Sequence, residues 1–301
     1  MNKHLVIVVG PTGVGKTAFS VSLAQHFNTS ILSADSRQLY KELNIGTAKP
    51  TLEEMKGVKH FFIDSVSITD NYTTAHFEND ALVCLDKLYE KSNIAILCGG
   101  TGLYVGALCN GLDELPERDE KIREELNLLY EIKGIEALQE KLKQLDDVQF
   151  SKMDSNNPQR LIRALEVCIT TGNSYSEAMK GIKKQRNFTP IIIGLNIGRE
   201  LLYHKINKRV DEMIEKGLVE EASTLFPQKS LNALQTIGYV ELFDYFENKI
   251  DLPTAIEKIK QHSRNYAKRQ LTWFRRYTEI KWVDPTDLQS AIDYVSNNMK
   301  P

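Results

Sequence analysis

The chain has 301 residues, of which 42% are apolar and 26% charged, and its formal net charge is −2. That composition suits one large soluble domain or two modest ones. It excludes a global electrostatic pull on nucleic acid, so any polyanion site must come from local clusters of basic residues.

In chain order, apolar runs of strand length occur at Leu5–Val9, Ser30–Ala34, Phe61–Val66, Ile94–Cys98 and Pro190–Leu195. None alternates with polar residues, which is how strands buried on both faces of a parallel sheet read. Helical stretches such as Lys16–Phe27 and Ala75–Lys91 separate them. Strand and helix in repetition predict a doubly wound α/β core, with functional groups at the C-terminal ends of the strands. The gap between the fourth and fifth strands is too long for one crossover. It holds helical patterns at Asp119–Glu131 and Asn157–Thr170 and reads as a helical insertion, residues 113–187, between core segments 1–112 and 188–301. Helices over Arg199–Leu225, Leu231–Phe246 and Pro253–Tyr277 and a short strand, Glu279–Val283, complete the expected order.

The four cysteines, Cys84, Cys98, Cys109 and Cys168, form no C-x-x-C pair. They read as small core residues in a reducing compartment. No apolar run approaches the ~20 residues of a membrane span, and no leader pattern opens the chain. A cytoplasmic protein without membrane association, monomeric by default, is the expectation.

Gly10-Pro11-Thr12-Gly13-Val14-Gly15-Lys16-Thr17 fits G-x-x-x-x-G-K-[ST] between a strand and a helix. The glycines let backbone N–H groups turn toward phosphate oxygens at a helix N-terminus. Lys16 supplies a point charge and Thr17 a hydroxyl for Mg²⁺. The loop does not specify what carries the phosphates: ATP, GTP and a prenyl diphosphate look alike to it.

At the end of the second strand, Asp35 is a candidate general base, and Ser36, Arg37 and Gln38 offer partners for a phosphate or a base edge. The bland alternative is a helix cap or surface turn. Gly46–Pro50 reads as a loop. Gly99-Gly100-Thr101-Gly102 follows the fourth strand, where glycines permit close approach of a ligand and Thr101 a hydrogen bond to it. No acid ends that strand, which disfavours an ATP hydrolase. Basic runs lie at Asn157–Arg163, Lys180–Arg186 and Lys258–Arg276, the last interleaved with Tyr266, Trp273 and Phe274. Each alone fits a solvated helix face, and three together favour a polyanionic partner.

Taken together, the phosphate loop, Ser33–Tyr40, Gly46–Pro50, Gly99–Tyr104, Arg160–Glu166, Ile237-Gly238-Tyr239 and Tyr266–Arg275 resemble the tRNA dimethylallyltransferase (tRNA isopentenyltransferase) family in its bacterial form, over nearly the whole length. The resemblance implies a P-loop NTPase-like core and transfer of a dimethylallyl group from dimethylallyl diphosphate to N6 of the adenosine 3′ of the anticodon. It implies Asp35 as general base, Gly10–Thr17 as diphosphate site with Mg²⁺ on Thr17, and Thr101 positioning the reacting groups. Ser36, Arg37 and Gln38 would meet the flipped adenosine, and Arg123, Gln159, Arg160, Leu161, Ile162 and Arg163 would contact the anticodon stem-loop of tRNA. One departure is Phe61, where the family often has a second histidine after His60. The cysteine and histidine set of the eukaryotic members' zinc finger is absent. A small-molecule kinase shares the loop and the acid, but its lid is far smaller than this insertion. A GTPase lacks support because no Asn-Lys-x-Asp motif occurs, and a non-catalytic RNA-binding module would not need Lys16, Thr17 and Asp35.

Overall fold

The computed structural model describes residues 2–299. They divide into two compact units: one runs to Cys109 and resumes at Arg186, and the other is Asn110–Gln185.

The first unit opens with β1 (His4–Val9), α1 (Lys16–His26), β2 (Ile31–Ser33), α2 (Leu52–Met55), β3 (His60–Phe61), α3 (Thr74–Tyr89), β4 (Ile94–Cys98) and α4 (Gly102–Asn110). The second holds α5 (Glu120–Leu145), α6 (Asp147–Lys152), α7 (Pro158–Thr171) and α8 (Tyr175–Ala178). The first resumes with β5 (Thr189–Leu195), α9 (Arg199–Glu215), α10 (Leu218–Leu225), α11 (Val240–Phe246), α12 (Leu252–Phe274), β6 (Lys281–Val283) and α13 (Leu288–Asn298).

The sheet has order β3-β2-β4-β1-β5-β6, and every pairing is parallel. Along β1, Val6 and Val8 enter one core while Leu5, Ile7 and Val9 enter the other. This is why the strand reads as an unbroken apolar run: both faces are covered by helices. A third core forms where Leu39, Tyr40 and Leu43 pack against α10, α11 and α12. The second unit has its own small core of Leu126, Leu138, Leu142, Leu161, Ile162 and Leu165.

Three sequence expectations are corrected. The third strand stops at Phe61 because Phe62 and Asp64 adopt left-handed backbone, with φ 63° and 51°, and turn the chain off the sheet. Arg199–Leu225 is two helices, broken at Gly217 with φ 99°. Leu231–Phe246 is helical only from Val240, after a short 3₁₀ turn and Gly238 at φ 98°. Helix α13 is an element that the expected order lacks: its stretch is largely polar, and Ala291, Ile292 and Val295 seat it on the sheet.

Candidate active site

The phosphate loop takes the shape its glycines allow. Gly10, Gly13 and Gly15 have φ of 151°, 79° and 103°, values an L side chain rarely adopts. A Cβ on Gly10 would stand 2.7 Å from Leu195 O, and one on Gly13 2.9 Å from Ile206 Cγ1. The side chain of Val14 is fully buried and anchors the loop in the core. Gly15 ends the loop as the N-cap of α1 without a side-chain cap bond, which leaves that helix end suited to an anion. Lys16 Nζ donates to Gly10 O at 3.0 Å and Pro11 O at 2.9 Å. Thr17 opens α1 beside it, half-buried.

Strand β4 lies between β1 and β2, so the Gly99–Gly102 turn sits between the phosphate loop and Asp35. This corrects the reading of its glycines. A Cβ on Gly99 would lie 2.2 Å from Ala34 O, on Gly100 2.1 Å from Gln270 Nε2, and on Gly102 2.2 Å from Trp273 Cδ1. The space these glycines leave is filled by the chain's own atoms. Thr101 Oγ1 accepts from Ser36 N at 3.0 Å, and its N donates to Ala34 O at 3.1 Å. The Thr101 hydroxyl also bonds the Tyr266 phenol, which burial first and the Asp35 carboxylate next push up to about 12.

Asp35 Oδ1 accepts from Arg37 N at 2.9 Å and Gln38 N at 3.3 Å, an Asx turn that fixes the carboxylate. Arg37 Nη1 donates to Asn232 O and Ala233 O at 3.1 and 3.2 Å. Gln38 Nε2 donates to Thr47 O and Ala48 O, both at 3.2 Å. The Arg37 and Gln38 side chains are thus engaged by main-chain carbonyls; Ser36 and Arg37 stand on the cavity beside Asp35, and Gln38 does not. That cavity, about 500 Å³, is lined by Thr12, Asp35, Arg209, Ile237, Tyr266 and Arg269 among others.

Four residues received no role from the sequence, although Gln270 and Tyr239 lie within the motifs of the family resemblance. Arg209 on α9 donates to Thr12 Oγ1 at 3.3 Å and faces Asp35 electrostatically. Gln270 on α12 accepts from Thr12 N at 2.8 Å. Glu221 accepts from the main chain of Asn44, Ile45 and Gly46 at 3.1, 2.8 and 3.0 Å, and from Tyr239 Oη at 2.6 Å. Buried Tyr239 completes that anchor of the Gly46–Pro50 loop. Gly46–Pro50 and Ile237-Gly238-Tyr239 both stand in the resemblance, and the fold shows why they go together: a Cβ on Gly46 would strike the Tyr239 ring at 2.6 Å.

In the second unit, Leu161 and Ile162 are fully buried. Their side chains form the core of α5 and α7, so packing, not contact with tRNA, accounts for the apolar pair within Gln159–Arg163. Arg123 Nη1 and Arg163 Nη1 bond the same oxygen of the fully buried Glu166, at 2.9 and 3.0 Å. Arg163 Nη2 also donates to Pro116 O at 2.8 Å, and Arg123 Nη2 to Gln159 Oε1 at 3.4 Å. Gln159 and Arg160 are exposed. In the first unit, Arg186 is likewise engaged internally, by Glu78 at 2.6 Å and the carbonyls of Ala107 and Leu108.

A phosphate loop and a fixed carboxylate around one cavity, on a parallel sheet, define a P-loop group-transfer enzyme. The family described as IPP transferase matches residues 38–277. The chain is 50% identical to the tRNA dimethylallyltransferase of Flavobacterium johnsoniae and 48% identical to that of Christiangramia forsetii, covering 99% of each chain in both pairs. Among solved structures it is similar to the tRNA isopentenylpyrophosphate transferase of Bacillus halodurans, with TM-score 0.74, 36% identity, and coverage of 98% and 96%. A eukaryotic dimethylallyltransferase acting on tRNA gives TM-score 0.79 at 29% identity, covering 98% of this chain and 80% of that one. The chain belongs to the IPP transferase family, that of the tRNA dimethylallyltransferases. No helix among the described residues is long and apolar enough to cross a membrane.

Proposed function

We propose that the chain transfers a dimethylallyl group from dimethylallyl diphosphate to N6 of the adenosine 3′ of the tRNA anticodon. The observation that carries this reading is the shared cavity: Thr12 of the phosphate loop, Asp35 and Arg209 line one space beside Lys16. Adenine N6 is a weak nucleophile because its lone pair is delocalised into the ring. The reaction therefore depends on stabilising the leaving diphosphate as the allylic carbon gains positive charge. Lys16, the N-terminus of α1 and Arg209 supply that positive potential. Asp35 takes the N6 proton as the new C–N bond forms.

Thr17 would hold Mg²⁺. Mg²⁺ takes few protein ligands and prefers phosphate oxygens and water, so one hydroxyl at the head of a phosphate-binding helix fits it. When bound, the ion neutralises diphosphate charge. The adenosine reaches Asp35 by leaving the base stack, and exposed Gln159 and Arg160 present polar groups to the anticodon stem-loop.

Incubation with labelled dimethylallyl diphosphate, unmodified tRNA and Mg²⁺, beside an ATP control, tests the reading. Label entering tRNA supports it. Consumption of ATP alone returns the kinase.

Burial pulls the Lys16 ammonium down to about 8; Cys98 and Asp35 oppose this and Arg209 reinforces it. The cation that attracts diphosphate is thus lost as pH rises through about 8. Affinity for dimethylallyl diphosphate falls between about pH 7 and pH 9.5, and Lys16→Arg flattens the dependence because a guanidinium keeps its charge. Calorimetric titration across that range checks it, and equal slopes for the two proteins would refute it.

A further inference from the structure

The buried face of α12 reads Ala255, Ile259, Ala267, Gln270 and Phe274. One glutamine on an otherwise apolar stripe must find partners for both ends of its amide. Gln270 does so with main-chain groups of two separate loops. Its Oε1 accepts from Thr12 N at 2.8 Å, and its Nε2 donates to Gly100 O at 3.0 Å. Turning the amide over would set donor against donor and acceptor against acceptor, so one orientation is fixed. The absence of a side chain on Gly100 admits that amide, since a Cβ there would lie 2.1 Å from Nε2.

From Gly100 the line continues. Thr101 follows it directly and binds Ser36 N at 3.0 Å, next to Asp35. On the other side, the second handle of Thr12, its hydroxyl, takes Arg209. The tip of the phosphate loop is therefore held by α12 through its backbone and by α9 through its side chain.

We propose that Gln270 is the positioning residue that sets the phosphate loop against the turn carrying Thr101, and so sets the leaving diphosphate against Asp35. The proposal rests on the diphosphate reading above. Gln270 acts on the reaction through Thr12 and Gly100. A misplacement of about 1 Å between reacting groups costs on the order of 10²-fold in rate.

Three variants of the full chain test it at a temperature where each is folded. Gln270→Met keeps length and loses both bonds: kcat falls roughly 10- to 100-fold while the Kd for tRNA stays within about two-fold. Gln270→Glu keeps the acceptor toward Thr12 and opposes the Gly100 carbonyl when ionised. Protonated, the introduced carboxyl donates to Gly100 O and restores the pattern. Its activity relative to wild type therefore recovers as pH falls from about 8 to about 6, whereas the Gln270→Met ratio stays flat. Taking the ratio cancels the pH dependence that both proteins share. A packing role alone predicts lower stability with normal kcat and parallel pH profiles, and that outcome overturns the proposal. Lys16→Ala is measured alongside. If it abolishes transfer while Gln270→Met retains wild-type kcat, Gln270 is dismissed and the diphosphate site stands. If both retain wild-type transfer, the diphosphate reading fails with it.

Discussion

Asp35→Asn lowers prenyl transfer to tRNA by at least about 10²-fold and leaves tRNA binding within about two-fold. The substitution isolates proton transfer from architecture. Oδ1 of Asp35 accepts from the backbone of Arg37 and Gln38, and the asparagine oxygen can accept the same two bonds. The turn that carries Ser36 therefore survives, as do Arg37's bonds to Asn232 and Ala233. What disappears is the basic lone pair and the negative charge facing Lys16 and Arg209. Asp35→Ala removes the turn cap as well, so it loses at least as much activity and some stability. Single-turnover rates with labelled dimethylallyl diphosphate, together with filter binding of tRNA, separate the two effects. Wild-type turnover in Asp35→Asn would remove Asp35 as the base.

Glu166→Ala destabilises the insertion by about 3–5 kcal/mol, the usual loss when one member of a buried ionic cluster is removed. Glu166 is fully buried and balances Arg123 and Arg163 while accepting from Asp119 N at 2.8 Å. Removing it leaves two mostly buried guanidinium groups without their carboxylate, at the joint between α5 and α7. Urea unfolding and limited proteolysis read the loss directly, and tRNA affinity falls as the unit unfolds. Arg160→Ala is the contrast. Its side chain is exposed, 4.0 Å from Asp154, so stability changes by less than about 0.5 kcal/mol. The slope of log affinity against log salt shrinks by roughly 0.7–0.9 if Arg160 meets one phosphate. Unaltered unfolding of Glu166→Ala would show that the cluster is not what holds these helices.

Arg160 and Arg163 differ in ways that their spacing in the sequence does not reveal. Arg160 and Arg163 lie on one helix face by spacing, and both look like RNA contacts. Arg160 is the more exposed, while Arg163, with 28% of its side chain exposed, bonds Glu166 one turn along, where Arg123 arrives from another helix. Leu161 and Ile162 fall in the same short motif and go to the core. A motif preserved for packing and one that touches a ligand have the same appearance in one dimension.

What the amino-acid sequence determined by itself is everything that needs only neighbours in the chain. The phosphate loop requires contiguous glycines, a lysine and a hydroxyl before a helix, so Gly10–Thr17 was legible with its chemistry. The buried parallel strands were legible because burial on two faces leaves unbroken apolar runs, and Asp35 because it ends one of them. The tertiary structure decided what lies across the cavity. Arg209 and Gln270 reach Thr12 from 197 and 258 positions away. Nothing local marks Arg209, and Gln270 falls within the Tyr266–Arg275 resemblance without any local sign of what it reaches. The same holds for the glycines after β4, whose missing side chains make room for Ala34, Gln270 and Trp273 rather than for a ligand. Hydrogen bonds and steric fit act over a few ångströms of space regardless of chain separation, and only the folded arrangement sets the phosphate loop across a cavity from the Asp35 carboxylate.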